Sequence, residues 1–111
     1  MSKRVFWRII RTAEPALTDF MSPHELGAPE PTDPVRRALH GGISAFVTEA
    51  QARNKARDYP LLGTHIVAVA IPTDAPGITV QRTLSSRGHH TIWGLADELL
   101  EMVDSSSVVP V

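Results

Sequence analysis

The stretch GGISAFVTEAQARNKARDYPLLGTHIVAVAI at residues 41–71 reads as strand, capped helix, turn and buried strand, with chain on both sides left to pair with it. Ile43-Ser44-Ala45-Phe46-Val47 is apolar apart from Ser44 and follows two glycines, as a short strand entering from a turn does. Thr48-Glu49-Ala50-Gln51 matches a capping box, in which the Thr48 hydroxyl takes one unpaired backbone N–H and Gln51 reaches back to another. A helix therefore starts there and runs to about Arg57, where Asp58-Tyr59-Pro60 ends it, because the residue before a proline is pushed out of the α region. Ala50, Ala52 and Ala56 let that helix approach a sheet closely. After Gly63, His65-Ile66-Val67-Ala68-Val69-Ala70-Ile71 is β-branched and continuously apolar, which predicts a central strand covered on both faces and stopped by Pro72.

Length and composition bound the rest. A chain of 111 residues makes one domain with one modest core. The absence of cysteine excludes disulfides and thiolate metal sites and fits a reducing, cytoplasmic setting. A formal net charge of -1 gives no bulk attraction to nucleic acid or to an anionic membrane. Arg8 and Arg11 interrupt the segment where a signal peptide would need an apolar run, and no run reaches transmembrane length, so no membrane association is expected.

Toward the N-terminus, Arg4-Val5-Phe6-Trp7-Arg8-Ile9-Ile10-Arg11-Thr12 predicts a strand with Val5, Trp7 and Ile9 on one face and Phe6, Arg8 and Ile10 on the other. Both faces are apolar, so the strand is interior and Arg8 is out of place. An unpaired buried charge is costly. Arg8 either reaches water or a carboxylate, or holds an anion on a cleft wall. Residues 13–34 form a long connection with five prolines, anchored by Phe20 and with one short helical turn near Thr18-Asp19-Phe20-Met21. Thr32-Asp33-Pro34 caps a short helix that carries Val35, Ala38 and Leu39.

Toward the C-terminus, Thr73-Asp74-Ala75-Pro76-Gly77 is a turn. Residues 78–83 alternate as a strand with Thr79, Gln81 and Thr83 in a polar row, residues 84–88 form a loop, and His89 to Gly94 is extended. Leu95, Leu99 and Met102 fall at helical spacing. Ser105-Ser106-Ser107 reads as a loop, and residues 108–111 as an edge strand or a loose tail. His89 and His90 are adjacent on an extended segment and point to opposite sides, so they do not share one metal, and no helical histidine pair has ligand spacing. No nucleophile elbow surrounds Ser44, and no glycine-rich phosphate loop occurs.

An Arg in the first strand (Phe6-Trp7-Arg8), a Ser in a strand that leads directly into an alanine-rich helix (Gly42-Ile43-Ser44-Ala45-Phe46, then Thr48 to Arg53) and a buried strand after it resemble the small ADP-ribosyltransferase-like fold. The chain is also similar to short, uncharacterised bacterial proteins with Gly88-His89-His90-Thr91-Ile92-Trp93-Gly94 near the end. The resemblance implies an α+β domain whose sheet is split into two small twisted halves around a cleft. In the arginine-serine-glutamate class it implies that Arg8 contacts NAD phosphates and that Ser44 supports Arg8. A late-strand Gln/Glu-x-Glu there supplies a carboxylate; Gln81-Arg82-Thr83 stands in its place and has none, so the developing oxocarbenium charge lacks its stabiliser.

Two functions follow as expectations. The first is a nucleotide-handling protein, a divergent transferase or NAD-cleaving enzyme, in which Arg8 holds phosphate, Ser44 orients it, Gln81 or Thr83 touches a ribose, and His89 or His90 is the polar catalytic group. The second is a binding module, for a nucleotide-like small molecule or a protein partner, that kept the fold without the chemistry.

Overall fold

The computed structural model describes residues 2–83 and 88–111. One antiparallel sheet of six strands organises it, in the order β4-β5-β2-β1-β3-β6. The strands are β1 (Lys3–Ile10), β2 (Ile43–Phe46), β3 (His65–Pro72), β4 (Thr79–Arg82), β5 (His89–Trp93) and β6 (Val103–Pro110), and the helices are α1 (Pro34–Leu39), α2 (Glu49–Asp58) and α3 (Ala96–Glu101). Single 3-10 turns at Leu17–Phe20 and Pro60–Leu62 complete the elements. The expected loop from Leu84 lies outside the described residues apart from Gly88. Among the described residues no helix is long and apolar enough to cross a membrane.

Local chemistry sets the helix ends. The Thr48 hydroxyl accepts from the Gln51 N–H at 3.1 Å and the Gln51 amide oxygen accepts from the Thr48 N–H at 3.2 Å, the reciprocal box read from the sequence. Helix α2 stops at Asp58, two residues before Pro60. Asp33 caps α1 by accepting from the Val35 N–H, with Pro34 at the first helical position.

The sheet buries both faces. On one, Phe6, Ile10, Ile43, Ala45, Val67, Val69 and Ile92 pack with Phe20 of the long connection and with Ala96 and Leu99 of α3. On the other, Ile9, Phe46 and Ile66 pack beneath Ala52 and Ala56 of α2, whose small side chains allow the close approach. Phe20 is completely buried, so it does anchor the proline-rich connection.

Two expectations change. The sheet is continuous, not split into two separate halves: the β4-β5-β2 half and the β1-β3-β6 half are joined through Trp7 and Phe46, the pair that links β1 to β2. The join is narrow: β1 meets β2 at Trp7 and Phe46, whereas the opposite edge of β1 pairs with β3 from Lys3 to Ile10 and the opposite edge of β2 pairs with β5 from Ile43 to Phe46. The second change is at the C-terminus, where residues 103–110 form one edge strand that includes the serines read as a loop. Its register on β3 shifts between Ile66 and Ala68, and there the Ser107 hydroxyl accepts from the Ala68 N–H at 2.8 Å and donates to the Asp104 carbonyl. A polar bulge of this kind hides the alternation that marks a strand.

Candidate functional site

The narrow join opens a wedge between β1 and β2, and Arg8 fills it. Its Nη1 donates to the Ser44 carbonyl oxygen at 2.7 Å and its Nε donates to the Asp19 carbonyl oxygen at 3.0 Å. Two main-chain oxygens thus hold the guanidinium across the seam, where a β1–β2 ladder would otherwise satisfy Ser44. The carboxylate of Asp19 does not take the charge: it accepts from the N–H groups of Arg11 and Ala16. Among the described residues Arg8 forms no salt bridge. Burial lowers its pKa to about 10, Asp19 opposing and Arg11 reinforcing the shift, so it stays cationic at neutral pH.

Two hollows share Arg8, Ser44 and His89 as their common wall. The larger, of about 400 Å³, lies against the proline-rich connection and α1, with Pro29, Pro31, Leu39, His40 and Arg36 among its lining. The smaller, of about 250 Å³, lies under α2 and is closed by Ile9, Phe46, Leu62 and Lys55. Among the described residues the charged side chains lining either hollow are Arg8, Arg36 and Lys55, with no aspartate or glutamate. The site is therefore electropositive although the chain is close to neutral.

Strand parity decides which histidine reaches it. Phe46 pairs with His89 and Ala45 with His90, so the two rings leave β5 on opposite faces. The His90 ring packs 5.2 Å from Phe6, its Nδ1 is 3.1 Å from the Gly88 carbonyl, and it lines neither hollow. His89 lines both. Its Nδ1 lies 3.1 Å from the Thr83 carbonyl oxygen, and in the tautomer that donates to that carbonyl Nδ1 carries the proton and Nε2 is the acceptor of the neutral ring. The Thr83 hydroxyl, 3.0 Å from the same nitrogen, is also 2.6 Å from the Thr91 hydroxyl.

Burial holds His89 below the usual histidine range; the Thr83 carbonyl opposes this, and Lys55, with smaller contributions from His90 and Arg8, adds to it. The folded protein then takes up a proton at His89 less readily than the unfolded chain, whose histidines titrate near about 6.5. Above that pH both states are neutral and the linkage vanishes; below it stability falls until His89 itself titrates. Thermal melts from pH 7 to pH 5 are expected to show a falling Tm, and His89→Gln is expected to flatten part of the fall. An equal decline in both proteins would rule this out.

The sequence candidates therefore divide. Arg8, Ser44 and His89 come together; Ser44 holds Arg8 through its main-chain carbonyl and not its hydroxyl. Thr83 stands one hydrogen bond behind His89. Gln81 pairs with Thr91 on the exposed edge strand and lines neither hollow. Lys55, Arg36 and His40 also line the site, and the sequence reading did not single them out for it. Lys55 had a signal, since it sits beside Ala56 and one turn from Ala52 at the border of the sheet-facing stripe of α2. His40 is buried, bonded to the Ala28 carbonyl at 3.1 Å and set edge-on to His24, which fastens the connection to the end of α1.

Neither a family model, nor a curated protein, nor a solved structure matches the chain.

Proposed function

We propose that the double hollow binds a nucleotide-type anion, NAD or a related nucleotide, with Arg8 on the phosphates. The observation that carries this is the Arg8 guanidinium: partly desolvated, fixed by two carbonyls and still cationic, it forms no salt bridge among the described residues, the Asp19 carboxylate acting on it from beyond salt-bridge distance, and it borders two hollows. A half-buried charge of this kind is stabilised when an opposite charge docks against it. The larger hollow, walled by prolines and Leu39, offers an apolar surface for a flat ring, and its size suits a small organic ligand.

In the reading as a divergent ADP-ribosyltransferase-like or NAD-cleaving enzyme, His89 is the group that can take a proton in the cleft. A second reading, a binding module without turnover, is favoured by the lack of any lining carboxylate to steady an oxocarbenium ion. Calorimetric titration of the protein with NAD, followed by chromatography for released nicotinamide, tests both. Heat of binding with nicotinamide release supports the enzyme; heat without release supports the module. No heat overturns the proposal.

A further inference from the structure

The smaller hollow brings Arg8 from β1, Ser44 from β2, Lys55 from α2 and His89 from β5 around about 250 Å³, with Ile9, Phe46 and Leu62 as the remaining lining. Three groups able to carry positive charge converge from three elements, an arrangement that like-charge repulsion disfavours unless an anion lies among them. The chain does neutralise cations elsewhere: Arg53, also on α2, is tied to Glu49 at 2.9 Å. Lys55 has no such partner among the described residues; its ammonium rests over the Tyr59 ring, 4.5 Å from the centroid, at the edge of the hollow.

We infer that this hollow is a subsite for a phosphate group carrying two negative charges, a diphosphate bridge or a terminal phosphate, and that His89 takes up a proton when the group docks. The inference rests on the reading of the cleft as an anion site and names the chemistry of one half of it. In the tautomer that donates from Nδ1 to the Thr83 carbonyl, an incoming proton goes to Nε2, which has no hydrogen-bond partner among the described residues, and turns it from acceptor to donor. Among the described residues the charged and titratable groups acting on that ring are Lys55 from α2, Arg8 from β1 and His90 from its own strand, and the charges of Lys55 and Arg8 disfavour the imidazolium in the empty cleft. A dianion held between Lys55 and Arg8 cancels their effect. Proton uptake and anion binding are then linked, and affinity rises as pH falls, by up to about tenfold per pH unit over the window between the free and bound pKa of His89.

The test is calorimetry with sodium pyrophosphate and with NAD, at constant ionic strength from pH 8 to pH 5.5, on the parent, Lys55→Gln, Lys55→Arg and His89→Gln. NMR of the His89 ring at pH 7 accompanies it, and circular dichroism checks that each variant is folded. For the parent, pyrophosphate affinity is expected to climb with acidification and the His89 signals to move to the imidazolium position at saturation. Lys55→Gln is expected to weaken binding about tenfold, with recovery in Lys55→Arg. Pyrophosphate itself titrates in this range, so the His89 contribution is read as the difference in pH slope between the parent and His89→Gln, and His89→Gln is expected to lack the acid-side gain of the parent. Equal pH slopes of pyrophosphate affinity in the parent and His89→Gln, an unmoved His89 signal, or an unaffected Lys55→Gln overturns the inference, as does no pyrophosphate binding at any pH. Binding of NAD alongside any of these failures leaves the nucleotide reading standing. Proton-linked pyrophosphate binding with no response to NAD keeps the subsite and removes that reading.

Discussion

Arg8→Met is expected to weaken NAD and pyrophosphate binding about 100-fold, enough to bring either titration close to a flat line. A charge-assisted hydrogen bond contributes about 1.5–3 kcal/mol, equivalent to roughly 10-fold to 150-fold in affinity, and a guanidinium can give a phosphate more than one. The fold is expected to suffer less than the binding. Removing the guanidinium leaves the Ser44 and Asp19 carbonyls without their donor, each at a cost of about 1–3 kcal/mol, but it also removes a charge that burial disfavours strongly enough to lower its pKa to about 10. Those effects oppose one another. Arg8→Lys is the companion variant: an ammonium keeps the charge but cannot serve two carbonyls and a phosphate fork in one plane, so it is expected to recover only part of the affinity. Isothermal titration and thermal melts on the same preparations check both. An Arg8→Met protein that melts like the parent and binds NAD and pyrophosphate as tightly would remove Arg8 from the site.

The second large effect is structural. Gly63 precedes β3 and runs so close to the end of β1 that a Cβ there would overlap the Ile10 carbonyl and come within 2.9 Å of Ile9 Cγ2. The obstacle is backbone, and the same Ile10 carbonyl accepts from the Thr64 N–H at 3.1 Å, so neither side can move without loosening the β1–β3 ladder. Gly63→Ala is expected to cost about 3 kcal/mol or more, as overpacking against fixed neighbours does. For a domain of this size that lowers Tm by roughly 10–20 °C. Gly41→Ala, whose added carbon meets only Trp93 Cδ1 at 3.9 Å, is expected to change Tm by no more than a few degrees. Equal melting of the two variants would contradict the packing argument.

Both effects converge on the seam between β1 and its neighbours. A full β1–β2 ladder would leave the Ser44 carbonyl no use for a side chain and Arg8 no place to stand. The wedge lies on the β2-facing edge of β1, where pairing is confined to Trp7 and Phe46, while the opposite edge of β1 is matched along its whole length to β3. The anion site is thus a product of unequal strand pairing, and Arg8 bridges the gap that the pairing leaves.

Much of the framework is legible in the residues themselves. Thr48, Gln51 and Pro60 bound α2, because caps and proline act over one helical turn. The apolar run of residues 65–71 marks β3, and the apolar neighbours of Arg8 on both faces mark it as an interior cation. These signals are local: each depends on residues within a few positions of one another, so the order of the chain is enough to express them. The single join through Trp7 and Phe46, the serine-bearing edge strand β6, the choice of His89 over His90 and the arrival of Lys55 beside Arg8 were set by register and packing between segments far apart in sequence. A one-residue shift of β5 would exchange the two histidines with hardly any change in local propensity, and only the tertiary contacts of Phe46 with His89 and of Phe6 with His90 fix which of them faces the cleft.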